Sequence, residues 1–226
     1  MSDTLPSTES AAASEASSPE DVLAAARKRP KPGERREQIL QALASMLEQP
    51  GAERITTAAL AARLSVSEAA LYRHFASKAQ MFEGLIDFIE HTVFSLVQQI
   101  IGRDLPDAAN ARSAQEAARE AARLVALLLQ FGERNPGMVR VMVGDALVFE
   151  HERLQQRMNQ FFDRIESTLR QSLRRVTAQS GTPTVDAQVA ASVLTSFALG
   201  RLQRYARSGF RRLPTEHLEA SLGLLL

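Results

Sequence analysis

The chain has 226 residues, with 27 Lys and Arg against 26 Asp and Glu for a formal net charge of +1, and 45% hydrophobic residues are enough for one large or two small domains with a real core. Aromatic residues make up only 5%, Trp is absent and Gly numbers 11, which points away from a strand-rich protein and toward an all-α fold. No cysteine occurs, so disulfides, thiolate metal sites and cysteine nucleophiles are excluded, and a cytoplasmic location is expected.

The near-neutral total hides a polarised chain. Residues 1–26 hold Asp3, Glu9, Glu15, Glu20 and Asp21 with no Lys or Arg, in a Ser/Ala/Pro-rich setting that predicts disorder. A basic arm follows in Arg27, Lys28, Arg29 and Lys31, so 1–33 reads as acidic leader plus arm. Residues 27–80 carry ten basic groups against five acidic ones, the footprint of a nucleic-acid-binding module; an ordinary solvated charge run has the same composition. The opening Asp3 and Glu9 do not form the basic start of an export signal, and the most apolar run, 124–129, is far shorter than the roughly 20 residues that cross a bilayer. No membrane partner is expected.

Helical spacing of Ile39, Leu40, Leu43, Met46 and Leu47 predicts a first helix over 34–49, stopped by Pro50-Gly51. Thr56 and Thr57 supply hydroxyl caps for a short helix over 58–64. Ser67 caps another over 68–74, with only Ser65-Val66 between them. Two short helices joined so tightly cross at a large angle, which is the helix-turn-helix arrangement. Leu60, Leu64, Val66, Leu71 and Phe75 can close a small core on Ile39, Leu43 and Leu47, leaving Ser67, Ala69, Ala70, Tyr72, Arg73 and His74 facing outward. Hydroxyls and the Tyr72 phenol suit phosphate or base edges, alanine methyls suit a thymine methyl, and Lys78 can neutralise a phosphate. The candidate DNA-facing set is therefore Thr56, Thr57, Ser67, Ala69, Ala70, Tyr72, Arg73, His74 and Lys78. A plain three-helix bundle would need no such outward face, and His74 also suits a capping or core role.

Ile55-Thr56-Thr57, Leu60-Ala61, Val66-Ser67 and Leu71-Tyr72-Arg73-His74-Phe75 with Lys78 resemble the DNA-binding domain of the TetR family. The resemblance implies an all-helical homodimer with an N-terminal helix-turn-helix domain, here 34–80, and a larger C-terminal helical domain, here 81–226.

In that larger part, Phe82, Leu85, Ile86, Ile89, Val93, Leu96, Val97 and Ile100 share one stripe of a helix over 78–102. Phe88 lies about 100° from the centre of the stripe, so it is either covered by a second neighbour or presented as an apolar anchor. A loop with Pro106, a helix over 111–133 broken at Asn135-Pro136-Gly137 and a short helix over 138–143 come next. Leu147, Leu154, Met158, Phe161, Phe162, Ile165, Leu169, Leu173 and Val176 predict one unbroken helix over 145–176 with coiled-coil character in its second half. Ser180-Gly181-Thr182-Pro183 ends it, Thr184 caps a helix over 185–207, and Pro214 starts a last short one. Val189, Val193, Leu194, Phe197 and Leu202 are the expected dimer-forming side chains of the penultimate helix.

No Gly-x-Gly-x-x-Gly, P-loop, His-Glu-x-x-His or Gly-x-Ser-x-Gly sequence occurs. His74, His91, His151 and His217 share no metal-ligand spacing. Neither catalysis, metal nor cofactor is expected. Arg35-Arg36-Glu37-Gln38-Ile39-Leu40, the 131–137 stretch Phe-Gly-Glu-Arg-Asn-Pro-Gly, the 146–150 segment and the 157–166 helix resemble the nucleoid occlusion branch of the TetR family, over about 35–214. That likeness implies a nucleoid-associated division inhibitor that binds palindromic double-stranded DNA and, when DNA-bound, antagonises the tubulin-like division protein FtsZ. It also implies a groove for the FtsZ C-terminal tail, lined by Phe88 and Leu127 with Arg134 and Asn135 at its polar end. A ligand-responsive transcriptional repressor is the other reading the TetR likeness allows.

Overall fold

The computed structural model describes residues 33–49, 54–103, 114–180 and 184–226, with side chains left out at 103, 114, 175–180 and 184–186. The acidic leader, the basic arm, Pro50-Gly51, the Pro106 loop, the 181–183 break and the Val176 side chain lie outside the described residues. Two units are distinguished, 1–35 and 36–226. Of the first, only Gly33 and the opening of the first helix are described.

Among the described residues the regular elements are all helices, α-helices with a 3-10 turn. Helix α1, Glu34–Leu47, buries Ile39, Leu43 and Leu47 at spacings of four residues, each worth about 1.5–3 kcal/mol against exposure. Helix α2, Thr57–Arg63, is capped by Thr56, whose hydroxyl oxygen accepts from the Ala59 amide at 3.1 Å. Helix α3, Glu68–Tyr72, is capped by Ser67, which accepts from the Ala70 amide at 3.3 Å. Ser65 between them takes φ +53, the left-handed helix stop usually given to glycine, and the Val66 amide donates back to the Ala61 carbonyl at 3.0 Å. That closure forces the sharp crossing of α2 and α3.

Helix α4, Lys78–Arg103, starts in a variant of the capping box, with the return bond one residue before the cap. The Gln80 amide donates to the Ser77 hydroxyl at 3.2 Å and the Ala76 amide donates to the Gln80 side-chain oxygen at 2.8 Å. Met81, Phe82, Leu85, Ile86, Ile89, Val93 and Val97 are buried along it, while Leu96 and Ile100 are only half-buried. The boundary expected at residue 80 falls inside α4, and 36–226 form one compact unit.

Helix α5, Ala114–Arg134, packs against α4 and against two later helices, α7, Glu152–Ser180, and α8, Thr184–Arg207. Ala117, Ala121, Leu124, Val125, Leu128 and Leu129 are buried along it accordingly. Helix α6, Pro136–Met142, places its missing amide at the first turn, where no intrahelical partner exists. Helix α9, Leu218–Leu225, ends the chain.

The expected unbroken helix over 145–176 is corrected. Gly144, at φ +86, opens a 3-10 turn over Asp145–Leu147, and α7 begins only at Glu152, where the His151 ring nitrogen accepts from the Arg153 amide at 3.2 Å. Leu147 and Leu154 are both buried and lie seven residues apart, so the heptad-like spacing continued across a break it could not register. The dimer-forming set divides as well. Leu194 and Leu202 are 1% and 0% exposed within this chain's own core, Phe197 is half-buried beneath the Arg201 guanidinium, and Val189 and Val193 face outward.

Candidate nucleic-acid and peptide interface

On the α2–α3 corner, Leu60, Leu71 and Phe75 are each 1% exposed. They share one core cluster with Ile39, Leu43 and Leu47 of α1, and Phe75 also approaches Gly84 of α4, which fixes the face of α3 that looks outward. Ser67, Ala69, Tyr72, Arg73 and His74 are exposed and Ala70 is half-buried. His74 is therefore not a core histidine; its carbonyl accepts from Arg36 Nη1 at 3.3 Å, and the same guanidinium lies 4.2 Å from the centre of the Phe75 ring. Arg36 thus braces the end of α3 by hydrogen bond and cation–π contact.

The two threonines differ. Thr56 caps α2 and is exposed, whereas the Thr57 hydroxyl donates to Glu68 Oε2 at 2.5 Å, tying the first turn of α2 to the first turn of α3. Glu68 stands where a carboxylate favours the α3 dipole. Arg63 Nη2 donates to Ser45 Oγ at 2.8 Å, joining α2 to α1. Lys78 does not stand free at the head: its ammonium is paired with Glu150, whose side chain is only 10% exposed, and lies 5.7 Å from the Phe82 ring centre. A phosphate would have to compete with that carboxylate. Sequence reasoning named neither Glu150 nor Arg36 as partners, because both pairings join segments far apart in the chain.

The second set lies on α4, α5 and the α5–α6 junction. Phe88 is 46% exposed, so it is presented and not covered. Leu127 is half-buried on the adjoining α5, and Arg134 is exposed at its end. Asn135 is partly engaged: its side-chain amide donates to the Phe131 carbonyl at 2.8 Å, satisfying a C-terminal carbonyl of α5. Beside Phe88, α4 is laced to α7 by Glu83–Arg153 at 2.8 Å, Asp87–Arg157 at 2.9 Å and Glu90–Arg157 at 2.6 Å. Burial pulls the Arg157 pKa down, but hydrogen bonds to Asp87 and Glu90, with their charges, outweigh it and hold the guanidinium above its ordinary value. Phe94 was missed as a core residue. It packs edge-on to Phe161 at 5.5 Å between ring centres and lies under Arg164 at 3.7 Å, a second wall that α4 alone does not reveal.

The capped helix-turn-helix on a larger helical domain defines the TetR class of regulatory proteins. A family model for bacterial regulatory proteins of the tetR family matches residues 39–85, and one for a SlmA-like, tetracyclin repressor-like C-terminal domain matches 117–226. The chain is 51% identical over 187 residues to nucleoid occlusion factor SlmA of Idiomarina loihiensis, covering 82% of this chain and 90% of that one. To SlmA of Vibrio cholerae it is 48% identical over 193 residues, covering 84% and 93%. The chain belongs to the SlmA family of nucleoid occlusion factors. Among solved structures, the MbdR regulator of Azoarcus sp. CIB aligns at a TM-score of 0.67 and 17% identity over 84% of this chain and 96% of that one. FadR of Bacillus subtilis, solved with stearoyl-CoA, aligns at 0.62 and 14% over 84% and 96%. At those identities the likeness is one of fold.

Proposed function

We propose that this protein is a DNA-activated inhibitor of cell division. A homodimer seats its two α3 helices in successive major grooves of a palindromic site, about 34 Å apart. Ser67, Ala69, Ala70, Tyr72, Arg73 and His74 approach bases and phosphates, and Thr56 and Thr57 flank the backbone. Once on DNA, the protein takes up the C-terminal tail of FtsZ beside Phe88 and Leu127, with Arg134 offering a planar fork to a tail carboxylate and Asn135 at the same end. FtsZ assembly over the chromosome is thereby opposed. The observation that carries the DNA half is the division of α3 and its flanking residues, 67–75, into a seated set, Leu71 with Phe75, and an outward set of small, hydroxyl, aromatic and basic groups. Kinship with nucleoid occlusion factors supports the division half. Electrophoretic mobility shifts on a selected site, with FtsZ-tail anisotropy in parallel, test the reading. Tyr72→Ala is expected to lose DNA affinity with dimerisation unchanged, and Arg134→Asp to lose the tail while keeping DNA. Unchanged behaviour of either variant contradicts the corresponding half.

A further inference from the structure

Outside both regions lies a second basic feature. Five arginines, Arg201, Arg204, Arg207, Arg211 and Arg212, fall between 201 and 212 with no acidic residue among them. The chain then folds so that four of these line one groove. Helix α8 ends at Arg207, and Gly209 and Phe210 both take φ +62, reversing the backbone. For Phe210 that conformation is uncommon. It is held by an edge-on contact with Tyr205 at 5.1 Å, by Arg140 at 5.2 Å from the Phe210 ring centre, and by a Phe210 amide bond to the Tyr205 carbonyl at 2.9 Å. The Arg211 and Arg212 amides both donate to the Ser208 hydroxyl, at 3.1 and 2.9 Å, which fixes the return strand of the turn.

The result is an open groove of about 700 Å³, lined by Arg201, Arg204, Arg211 and Arg212 together with Leu213, Thr215, Glu216, His217 and Ser221. Arg201 is its floor, donating to the Glu216 carbonyl at 2.5 Å and to Ser221 Oγ at 2.7 Å. The lining is pinned to α5, because the Thr215 hydroxyl donates to the Glu133 carboxylate. The Arg204 and Arg212 guanidiniums make no hydrogen bond or ion pair among the described residues, although the backbones of both residues are bonded to Ser208. Glu216 is the one carboxylate in the lining, so the groove carries a clear positive excess. Leu213 stands in it, 48% exposed.

We infer that this groove is a docking site for a short acidic peptide segment of a partner protein, with its carboxylates on Arg204 and Arg212 and an apolar side chain on Leu213. Guanidinium forks pair with carboxylates two bonds at a time. Four arginines and an exposed leucine lining one open groove of about 700 Å³ suit the carboxylates and apolar side chain of an extended chain better than one compact anion. A duplex presents its phosphates on a convex surface, and neither the concavity nor Leu213 serves it. The site is independent of the tail groove proposed above, since it uses none of Phe88, Leu127, Arg134 or Asn135.

The test is fluorescence anisotropy of the full chain with a labelled decapeptide of Asp and Glu containing one central Leu. Binding is expected to weaken with salt, to fall at least tenfold in Arg204→Glu/Arg212→Glu, to fall several-fold when the Leu is replaced by Ser, and to persist in Arg73→Glu. Arg204 and Arg212 are exposed, so the double variant should keep the circular dichroism and melting of the parent. Equal binding by the double variant would overturn the assignment. So would displacement of the peptide by inorganic tripolyphosphate or by a non-palindromic duplex at equal concentration, which would make the groove a phosphate site or a DNA surface.

Discussion

Lys78, in the first turn of α4, is ion-paired with Glu150, which directly precedes the residue that caps α7. The pair joins the base of the helix that follows the helix-turn-helix to the segment between α6 and α7. The exposed pair Val148–Phe149 lies next to Glu150 in that segment. If DNA phosphate draws on Lys78, it does so against this carboxylate. Glu150→Gln is therefore expected to tighten binding to a cognate duplex and to steepen its salt dependence by about one phosphate contact. Mobility shifts at several salt concentrations check this, and an unaltered salt slope would assign Lys78 to architecture alone.

Gly137 sits one residue inside α6 against α1, where a Cβ would collide with the Ala44 carbonyl oxygen. Backbone cannot yield as a side-chain tip can. Gly137→Ala should cost about 1–3 kcal/mol or more by overpacking, read as a lowered urea midpoint. A variant as stable as the parent would mean that α6 and α1 separate readily.

Leu71 and Tyr72 are neighbours with opposite duties. Leu71→Ala empties a site 1% exposed and should destabilise by about 2–5 kcal/mol. Tyr72→Ala, at 44% exposure, should stay within about 0.5 kcal/mol of the parent in stability. Thermal melts on both separate seating from contact; a large loss from Tyr72→Ala would return that ring to the core.

Much of this division was legible in the sequence. Ser67 three residues before Ala70, and Thr56 three before Ala59, announce the two caps, and Leu60, Leu71 and Phe75 announce the seat. The break at 148–151 was not legible, because Leu147 and Leu154 keep the spacing of a continuous helix. Nor were Lys78–Glu150, Arg36 over Phe75, or the arginine groove, since each depends on how distant segments return to one another. Phe88 could be placed off its helix's stripe, but whether a neighbour covered it was a tertiary matter.

Tyr205 donates to the Glu133 carbonyl at 3.3 Å, and its pKa is raised above the ordinary tyrosine value by burial first, then by the charges of Glu133 and Glu48. A raised folded-state value means that the stability it contributes is complete below pH of about 10 and is lost as pH climbs toward the folded value. Tyr205→Phe should lose only about 0.5–1.5 kcal/mol at pH 7. Above about pH 10 it should fall less steeply than the parent. Urea titrations at pH 7 and across the alkaline range decide it, and parallel alkaline slopes would contradict the assignment.

The most direct test of the central claim is sedimentation of FtsZ polymers with this protein, with and without a short duplex carrying its selected site. Loss of polymer that requires the duplex, and that Arg134→Asp abolishes, is the predicted result. Polymer that sediments unchanged in the presence of the DNA-bound protein would contradict the account.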